Sequence, residues 1–289
     1  MNTQQTAPSP GAQAAESYLR AFHDNTPGLQ SQGVEAHRAE DGRTSYEVLA
    51  DRVGPVRRVL DLGCADGALL ALFAGRGAQE LAGVDLSSGE LEIARRRPEL
   101  ADAHLHHGRA QQLPFPDDRF DAVVSHMAFM LMADVDQVAA EAARVLAPGG
   151  TLAVAVGGGP LGGDGMDLFL DLARPYLDAT PKPQGRPRLG DPRSRKREGL
   201  DEILTPFGFA PVEWLPFALR MDGTPEEVWQ RMLDTFYDVT QLDATSLERL
   251  HQEFLDAAAA QVAPDGRLPS GLRINLATTR LAAVQDRLG

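Results

Sequence analysis

Cysteine is nearly absent from this chain of 289 residues, which contains Cys64 alone. A single thiol cannot form an intramolecular disulfide or a cysteine-cluster metal site, and such usage is typical of a reducing compartment. Long apolar runs are lacking too, since no stretch reaches the roughly 18 residues typical of a membrane helix. The N-terminal MNTQQTAPSPGAQ has neither the basic nor the apolar part of a secretory signal. We therefore expect a cytoplasmic protein with no membrane partner.

Basic residues are outnumbered by acidic ones, so that the formal net charge is −13. Binding to a phosphate backbone gains affinity from Lys and Arg, so we expect no nucleic-acid partner. The exception is the segment 186–197, RPRLGDPRSRKR, with six basic residues and one acid. Its side chains, Arg193 among them, either recognise a carboxylate or phosphate of a substrate, dock an acidic carrier protein, or form a solvated loop.

Five short apolar runs alternate, between residues 55 and 156, with segments whose apolar residues recur at helical spacing. The runs are VRRVLDL, ELAGVDL, AHLHHG, FDAVVSH and TLAVAV. Because they are almost wholly apolar, they predict a parallel sheet covered by helices on both faces. With further strands at 212–219 and 272–281, we predict an α/β protein with a doubly wound, seven-stranded, mostly parallel sheet.

Four segments are predicted around this sheet, within one structural domain. Residues 1–12, rich in Gln, Pro, Ser and Thr, indicate a disordered tail. The pattern predicts two leading helices within residues 13–54 and the core within residues 55–156. It places the last strands and a helical insertion within residues 157–289. Capping boxes at 224–227 and 245–248 predict two helix starts. A helix over 135–146 is predicted to stop at the Pro-Gly-Gly of 148–150.

The turn after the first strand, 63–67, holds two glycines and an alanine. In an open parallel sheet, ligands bind at the carboxyl ends of the strands, where such a turn lets backbone approach them closely. Asp61 precedes this turn and would repel a pyrophosphate but attract an ammonium group. A dinucleotide, and with it a nicotinamide-dependent oxidoreductase, is therefore disfavoured.

The stretch 61–67, DLGCADG, resembles the first motif of the class I S-adenosylmethionine (SAM) methyltransferases, acid-x-Gly-x-Gly-x-Gly, with alanine in place of the second glycine. The stretches 107–129, HGRAQQLPFPDDRFDAVVSHMAF, and 143–154, ARVLAPGGTLAV, resemble the quinone-biosynthesis-like (type 11) branch of that family. The resemblance covers residues 45–156 closely. It implies a Rossmann-like methyltransferase fold, SAM as cofactor, an N-terminal helical lid over 13–54 and a substrate cap within 157–289.

The resemblance also implies a set of cofactor-binding residues. Asp85, at the end of the second strand, sits where an acid can accept both ribose hydroxyls. Tyr18 and Tyr46, on the leading helices, either meet the methionine moiety or pack in the core. The full implied set is Asp61, Gly63, Cys64, Ala65, Gly67, Asp85, Leu86, Arg109, Ala110, Ser125, Tyr18 and Tyr46.

Arg109 departs from the branch, which commonly has an acid that accepts from the adenine amino group. Arginine is a pure donor and cannot accept a hydrogen bond. Either Arg109 stacks on the adenine, or it points outward and pairs with an acid. The backbone N–H of Ala110 reaches a ring nitrogen of the adenine in the branch.

Methyl transfer from a sulfonium needs alignment above all, which alone supplies roughly 7–11 kcal/mol. A phenol, hydroxyl or carbon acceptor also needs a base, and His126, just past the fourth strand, is the candidate. Its alternative role is to hold a loop carbonyl. His23 and Asp24 either cap the substrate site or form a helix end, and Met127 and Met130 either line it or belong to the core.

We expect no metal site, because the sequence offers no acids or cysteines that would complete a set of metal ligands with the histidines at 104, 106 and 107. The function expected from the resemblance is methyl transfer to an O, N or C atom of a small-molecule acceptor in specialised metabolism. Two alternatives stay open. The same fold can cyclise the aminocarboxypropyl arm of SAM and release methylthioadenosine, or bind SAM without catalysis. The helical insertion before the last strand either walls the pocket or forms a homodimer contact.

Overall fold

One seven-stranded sheet organises the computed structural model, which describes residues 9–179, 189–236, 239 and 242–283. Its strands are β1 (Arg58–Leu62), β2 (Glu80–Asp85), β3 (His104–His107), β4 (Phe120–His126), β5 (Leu146–Pro160), β6 (Glu213–Arg220) and β7 (Gly271–Arg280). The order across the sheet is β3-β2-β1-β4-β5-β7-β6, with β7 antiparallel to both neighbours and all other pairs parallel. The predicted doubly wound, mostly parallel sheet is thus confirmed.

The order of the strands places a ligand crevice next to β1. The chain builds outward from β1 to β3 and then returns to add β4 on the other side of β1. In doubly wound sheets, ligands bind outside the carboxyl ends of the strands at such a reversal. The residues that follow β1, β2 and β4 are therefore brought to one edge of the sheet.

Helices cover both faces of the sheet. They are α1 (Pro10–Asn25), α2 (Leu29–Ala36), α3 (Ser45–Val53), α4 (Ala68–Gly75), α5 (Ser88–Ala94), α6 (Val135–Val145), α7 (Gly165–Ala179), α8 (Arg197–Leu204), α9 (Pro225–Thr235) and α10 (Ala244–Ala258). Successive side chains of a strand point to opposite faces. In β1, Leu60 and Leu62 accordingly join the core under α6 and α8, whereas Val59 joins the core under α3, α4 and α5.

A third core lies among α7, α9 and α10. The ring of Phe169 on α7 packs edge-on against Trp229 of α9, with ring centroids 5.5 Å apart, and against Phe254 of α10, at 6.0 Å. These three side chains are buried. The helices of the last segment thus form a small cap with a core of its own. Among the described residues, no helix is both long and apolar enough to cross a membrane.

The start of α1, the presence of α2 and the start of β5 differ from the sequence prediction. The helix α1 begins at Pro10, capped by Ser9, within the segment expected as a tail, and residues 1–8 lie outside the described part. The helix α2 was not anticipated, since its sequence LQSQGVEA has little apolar periodicity. The strand β5 already begins at Leu146 and runs through 148–150. A register shift against β4 and a φ of +78° at Gly149 accommodate that Pro-Gly-Gly as a bulge.

The predicted capping box at 224–227 is present, with Thr224 and Glu227 bonded reciprocally. The predicted start at Thr245 is wrong, because the N-cap of α10 is Asp243. Its carboxylate accepts from the N–H of Ser246 at 2.9 Å. An Asp in this position offers the same acceptor as a Ser or Thr, so the pattern in the sequence was compatible with either register.

Replacement of Asp243 by Ala should lower the urea midpoint of unfolding, because the N–H of Ser246 loses its side-chain acceptor. Thr245→Ala is the matched control and should leave the midpoint unchanged, since Thr245 is exposed inside the first turn. Circular dichroism in a urea series measures both. A larger shift for Thr245→Ala than for Asp243→Ala would contradict the N-cap assignment.

Candidate active site

The turn between β1 and α4 brings backbone against the loop that follows β4. Gly63 has a φ of +75°, and a Cβ atom there would overlap the Cβ of Ala128. Gly67, with a φ of +77°, is the N-cap of α4 and would overlap Leu100 in the same way. Ala65, at the position of the motif's second glycine, holds a φ of +45° at a cost of about 1–2 kcal/mol. Both glycines are thus required by space as well as by conformation.

Backbone N–H groups of this turn bond within the protein. Gly63 and Cys64 donate to the carbonyl oxygen of Val84 at 2.8 and 3.2 Å. Ala65 donates to Oδ2 of Asp85 at 2.9 Å. A pyrophosphate at the turn would need such groups as free donors. The hydrogen bonds therefore support the sequence argument against a dinucleotide.

Two neighbouring cavities lie at this edge of the sheet. The small cavity, of about 90 Å³, lies next to the ends of β2 and β3, and the predicted cofactor residues Leu86 and Ala110 line it. The large cavity, of about 390 Å³, extends from the turn towards α2, α9 and the β6–β7 pair. Gly63 and Asp85 border both cavities, so one ligand can reach from one into the other.

Asp61 faces the large cavity as a buried carboxylate. The residue is 2% exposed, and its Oδ1 atom has no hydrogen-bond partner among the described residues. Burial, together with the Asp85 carboxylate, raises the pKa of Asp61 well above its usual range. Because a buried charge without a partner is costly, this position favours a ligand that brings a cation. The ammonium group of SAM is such a cation, so the residues present fit the implied cofactor.

Asp85 is held by backbone donors and keeps capacity for a ligand. Its Oδ1 accepts from the N–H of Ser87 at 2.8 Å, and its Oδ2 from the N–H of Ala65 at 2.9 Å. Burial raises the pKa of Asp85 despite these bonds. A carboxylate oxygen can accept more than one hydrogen bond, so each oxygen can still accept from a ribose hydroxyl.

His126 ends β4 on the wall of the large cavity. Its Nε2 atom lies 2.8 Å from Oγ of Ser45, and its ring packs edge-on against Tyr46 at 4.6 Å between centroids. Burial lowers the pKa of His126 to about 4, so the imidazole is uncharged at neutral pH. The predicted base and the predicted Tyr46 thus meet at one point, and α3 supplies the group that orients His126.

Apolar side chains form the remaining wall of the large cavity. Met127 and Met130 both contribute, as the sequence suggested. Met127 has a φ of +57°, a strained value for a residue with a side chain. Leu29, Val34, Leu69 and Leu131 of earlier elements add to this wall, and later elements contribute Leu219, Met221, Leu272 and Ile274.

Arg109 pairs with an acid of the leading helix α1. Its guanidinium lies 2.7 Å from Oε1 of Glu16 and 3.6 Å from Oδ2 of Asp134. Glu16 is only 7% exposed. Gly108, Ala110 and the partner Glu16 line the small cavity, whereas Arg109 does not. Of the two sequence alternatives, the structure therefore has the ion pair, and this pair ties α1 to the core.

The C-terminal end of α1 is fastened to the start of α5. Oδ1 of Asp24 accepts from Oγ of Ser87 at 2.6 Å and from the N–H of Gly89 at 3.0 Å. Nδ1 of His23 lies 3.3 Å from Oε1 of the buried Glu90. His23 also borders both cavities, as expected of a residue above the site. Asp24, predicted beside it as a substrate contact, instead secures the helix.

Several other predicted residues lie away from both cavities. Arg193 donates to Asp191 at 2.8 Å and to Asp136 at 3.0 Å, which neutralises part of the basic segment. Residues 186–188 of that segment lie outside the described part. Oγ of Ser125 donates to the carbonyl of Leu62, and neither Ser125 nor Tyr18 lines either cavity.

Three polar side chains of the large cavity were not predicted from the sequence, because they come from elements distant in the chain. His37 follows α2, and Arg231 and Asp234 lie on α9. No local motif marks these residues, since only the tertiary fold brings α2 and α9 together. Among the described residues, no set of three or more His, Cys, Asp or Glu side chains could hold a metal ion.

Asp61→Asn should weaken SAM binding more than tenfold and raise the melting temperature of the ligand-free protein. The amide keeps the shape of the carboxylate but removes the charge that the ammonium needs, and it also removes an uncompensated buried charge. Wild-type stability should fall as pH rises through the raised pKa of Asp61, whereas the variant should lack this component. Calorimetric titration with SAM and thermal unfolding at several pH values measure the two effects. Unchanged SAM affinity would refute the ammonium assignment.

Residues 60–154 match a family model described as a methyltransferase domain. The methyltransferase GfsG of Streptomyces halstedii is 37% identical over 130 residues, 40% of this chain and 44% of GfsG. The demethylmenaquinone methyltransferase of Symbiobacterium thermophilum is 33% identical over 150 residues, 49% of this chain and 59% of that protein. The chain thus spans about half the length of the curated relatives it matches.

The solved structure of the YcgJ protein from Bacillus subtilis superposes with a TM-score of 0.55 at 19% identity, covering 82% of this chain and 98% of that one. This likeness concerns the fold. The strand order of the sheet is the one typical of class I SAM methyltransferases. Residues 60–154 thus match a methyltransferase domain model, and the chain has the fold of the class I SAM methyltransferases.

Proposed function

We propose that this protein transfers a methyl group from SAM to a small-molecule acceptor. One observation carries the proposal: the unpaired Asp61 carboxylate, the Asp85 carboxylate and the His126 imidazole border the same large cavity as an apolar wall. The carboxylates at one end of the cavity suit a positively charged cofactor. The apolar wall at the other end suits an apolar acceptor.

The chain's residues divide the work of holding the cofactor. Asp61 receives the ammonium group and Asp85 the ribose hydroxyls, while the small cavity beside Ala110 takes the adenine. When bound, SAM supplies an electrophilic methyl group on a sulfonium. The contacts of Glu16 with Arg109 and of Asp24 with Ser87 hold the helix α1 over the proposed cofactor site. They reduce the access of water, which helps orientation and limits side reactions.

The proposed base is His126. Its pKa of about 4 leaves it unprotonated at neutral pH, so it can accept the proton of a hydroxyl or an activated carbon. Ser45, at 2.8 Å, fixes the orientation of the ring. Met127 and Met130 offer adaptable apolar contacts to the acceptor. An apolar quinone in the name of one relative supports an acceptor of this kind.

The test measures what the protein makes of SAM. Incubated with SAM alone, it should give no methylthioadenosine above a blank without enzyme. Incubated with SAM and a panel of phenols, naphthols and reduced quinones, it should give S-adenosylhomocysteine and a methylated product by mass spectrometry. Methylthioadenosine formation without an acceptor would instead make SAM the substrate, and failure of SAM to bind in calorimetry would end the proposal.

His126→Ala should lower turnover by about 10²–10⁴-fold, the usual contribution of a general base. Wild-type turnover should hold as pH falls through 6.5 and be lost only near pH 4, where His126 becomes protonated. Initial rates across pH, with circular dichroism to show that the protein remains folded, measure this. His104→Ala, on an exposed histidine of β3, is the control and should keep the wild-type profile. Full turnover of His126→Ala at every pH would exclude the assignment.

A further inference from the structure

A second imidazole, that of His37, lies on the wall of the large cavity. His37 follows the C-terminus of α2, on the side of the cavity towards α9. Its Nε2 atom is buried and has no hydrogen-bond partner among the described residues. His126, by contrast, already has Ser45 as a partner. An unpaired buried polar atom costs about 1–3 kcal/mol, and on a cavity wall a ligand atom can recover that cost.

The charges near His37 argue against a charged ligand group at this end. Arg231 of α9 lies on the same wall, and its Nη1 atom donates to the carbonyl oxygens of Met221 and Asp222 at 2.7 and 2.9 Å. Burial, with this guanidinium, lowers the pKa of His37 to about 4 and so leaves the ring neutral. A cationic group would meet the positive charge of Arg231.

An anionic group is disfavoured by the cavity as a whole. Among the described residues, its lining holds three acids, Asp61, Asp85 and Asp234, and three histidines, against the single guanidinium of Arg231. Burial keeps His37 and His126 neutral, and the third histidine, His23, lies 3.3 Å from the carboxylate of Glu90. The guanidinium is also already committed to backbone carbonyls through Nη1. A neutral group therefore suits the His37 end best.

We infer that Nε2 of His37 binds a neutral hydroxyl of the acceptor, whose apolar body lies against Met127, Met221 and Leu272. A hydroxyl can donate and accept, so it matches either tautomer of the imidazole. The acceptor is thus a hydroxylated, mainly apolar molecule and not a carboxylate. This inference rests on the proposed function, because it takes the large cavity as the acceptor site.

Fragment binding to the protein saturated with S-adenosylhomocysteine tests the inference without knowledge of the natural acceptor. The probes are 1-naphthol, naphthalene and 1-naphthoate, which share one ring system and differ in the polar group. Wild-type protein should bind 1-naphthol about tenfold more tightly than naphthalene, the gain expected of one hydrogen bond, and 1-naphthoate most weakly. Quenching of tryptophan fluorescence, checked by calorimetry, gives the three affinities.

Two substitutions locate the effect. His37→Phe should abolish the preference for 1-naphthol over naphthalene, whereas His37→Gln, which keeps a hydrogen-bonding group, should retain part of it. His104→Phe on the exposed part of β3 is the matched control and should behave as wild type. The full preference persisting in His37→Phe, or 1-naphthoate binding most tightly to the wild type, would overturn the inference.

The inference and the proposed function can fail separately. If S-adenosylhomocysteine does not bind the wild-type protein, the proposed function fails. If it binds but 1-naphthol and naphthalene bind equally well, only the assignment of His37 fails. A fold defect in His37→Phe would show as lost S-adenosylhomocysteine binding, and the wild-type comparison of the three probes would then decide the matter.

Discussion

The close approach of the β1–α4 turn to the loop after β4 is the constraint on which the site depends. At Gly63 the Cβ atom of Ala128 lies so near that a side chain on residue 63 would overlap it. Because β1 and β4 are neighbours in the sheet, this contact aligns their carboxyl ends. Asp61 and His126 thereby come to border one cavity, and the turn's own N–H groups are drawn onto β2, where they help fix Asp85. A side chain at Gly63 would separate the two ends of the cavity.

Buried polar contacts help to attach the leading helices α1 and α2 to this edge. Glu90 of α5 is fully buried and accepts from the N–H of Gly28, while Ser31 of α2 donates to the buried Asp66 at 2.7 Å. Such contacts are directional, so they set the position of α1 and α2 over the cavities. The polar contacts of Glu90 and Asp66 thus fix where α1 and α2 lie relative to the two cavities.

Much of the fold was readable from the sequence because it follows from local pattern. Apolar runs gave all seven strands, and the turn motif gave the positions of Asp61 and Asp85 at the cavities. The features that the local pattern did not predict depend on contacts between residues distant in the chain. Asp24 and Arg193 found donors or acids elsewhere, and α2 forms despite its polar sequence because it packs over the site. His37 entered the cavity only through the meeting of α2 and α9.

The unsatisfied features of the molecule gather where the ligands are proposed to bind. Of the four non-glycine residues with positive φ among those described, Ala65 and Met127 line the large cavity. Asp61 and His37, each with a buried atom that has no hydrogen-bond partner among the described residues, line the same cavity. Local rules are broken in natural proteins mainly at functional sites, where the cost is recovered on binding. Cofactor and acceptor would each relieve a different one of these costs, Asp61 at the turn and His37 near α9. With the proposed ligands, the same cavity would hold a cation at its Asp61 end and a neutral hydroxyl at its His37 end.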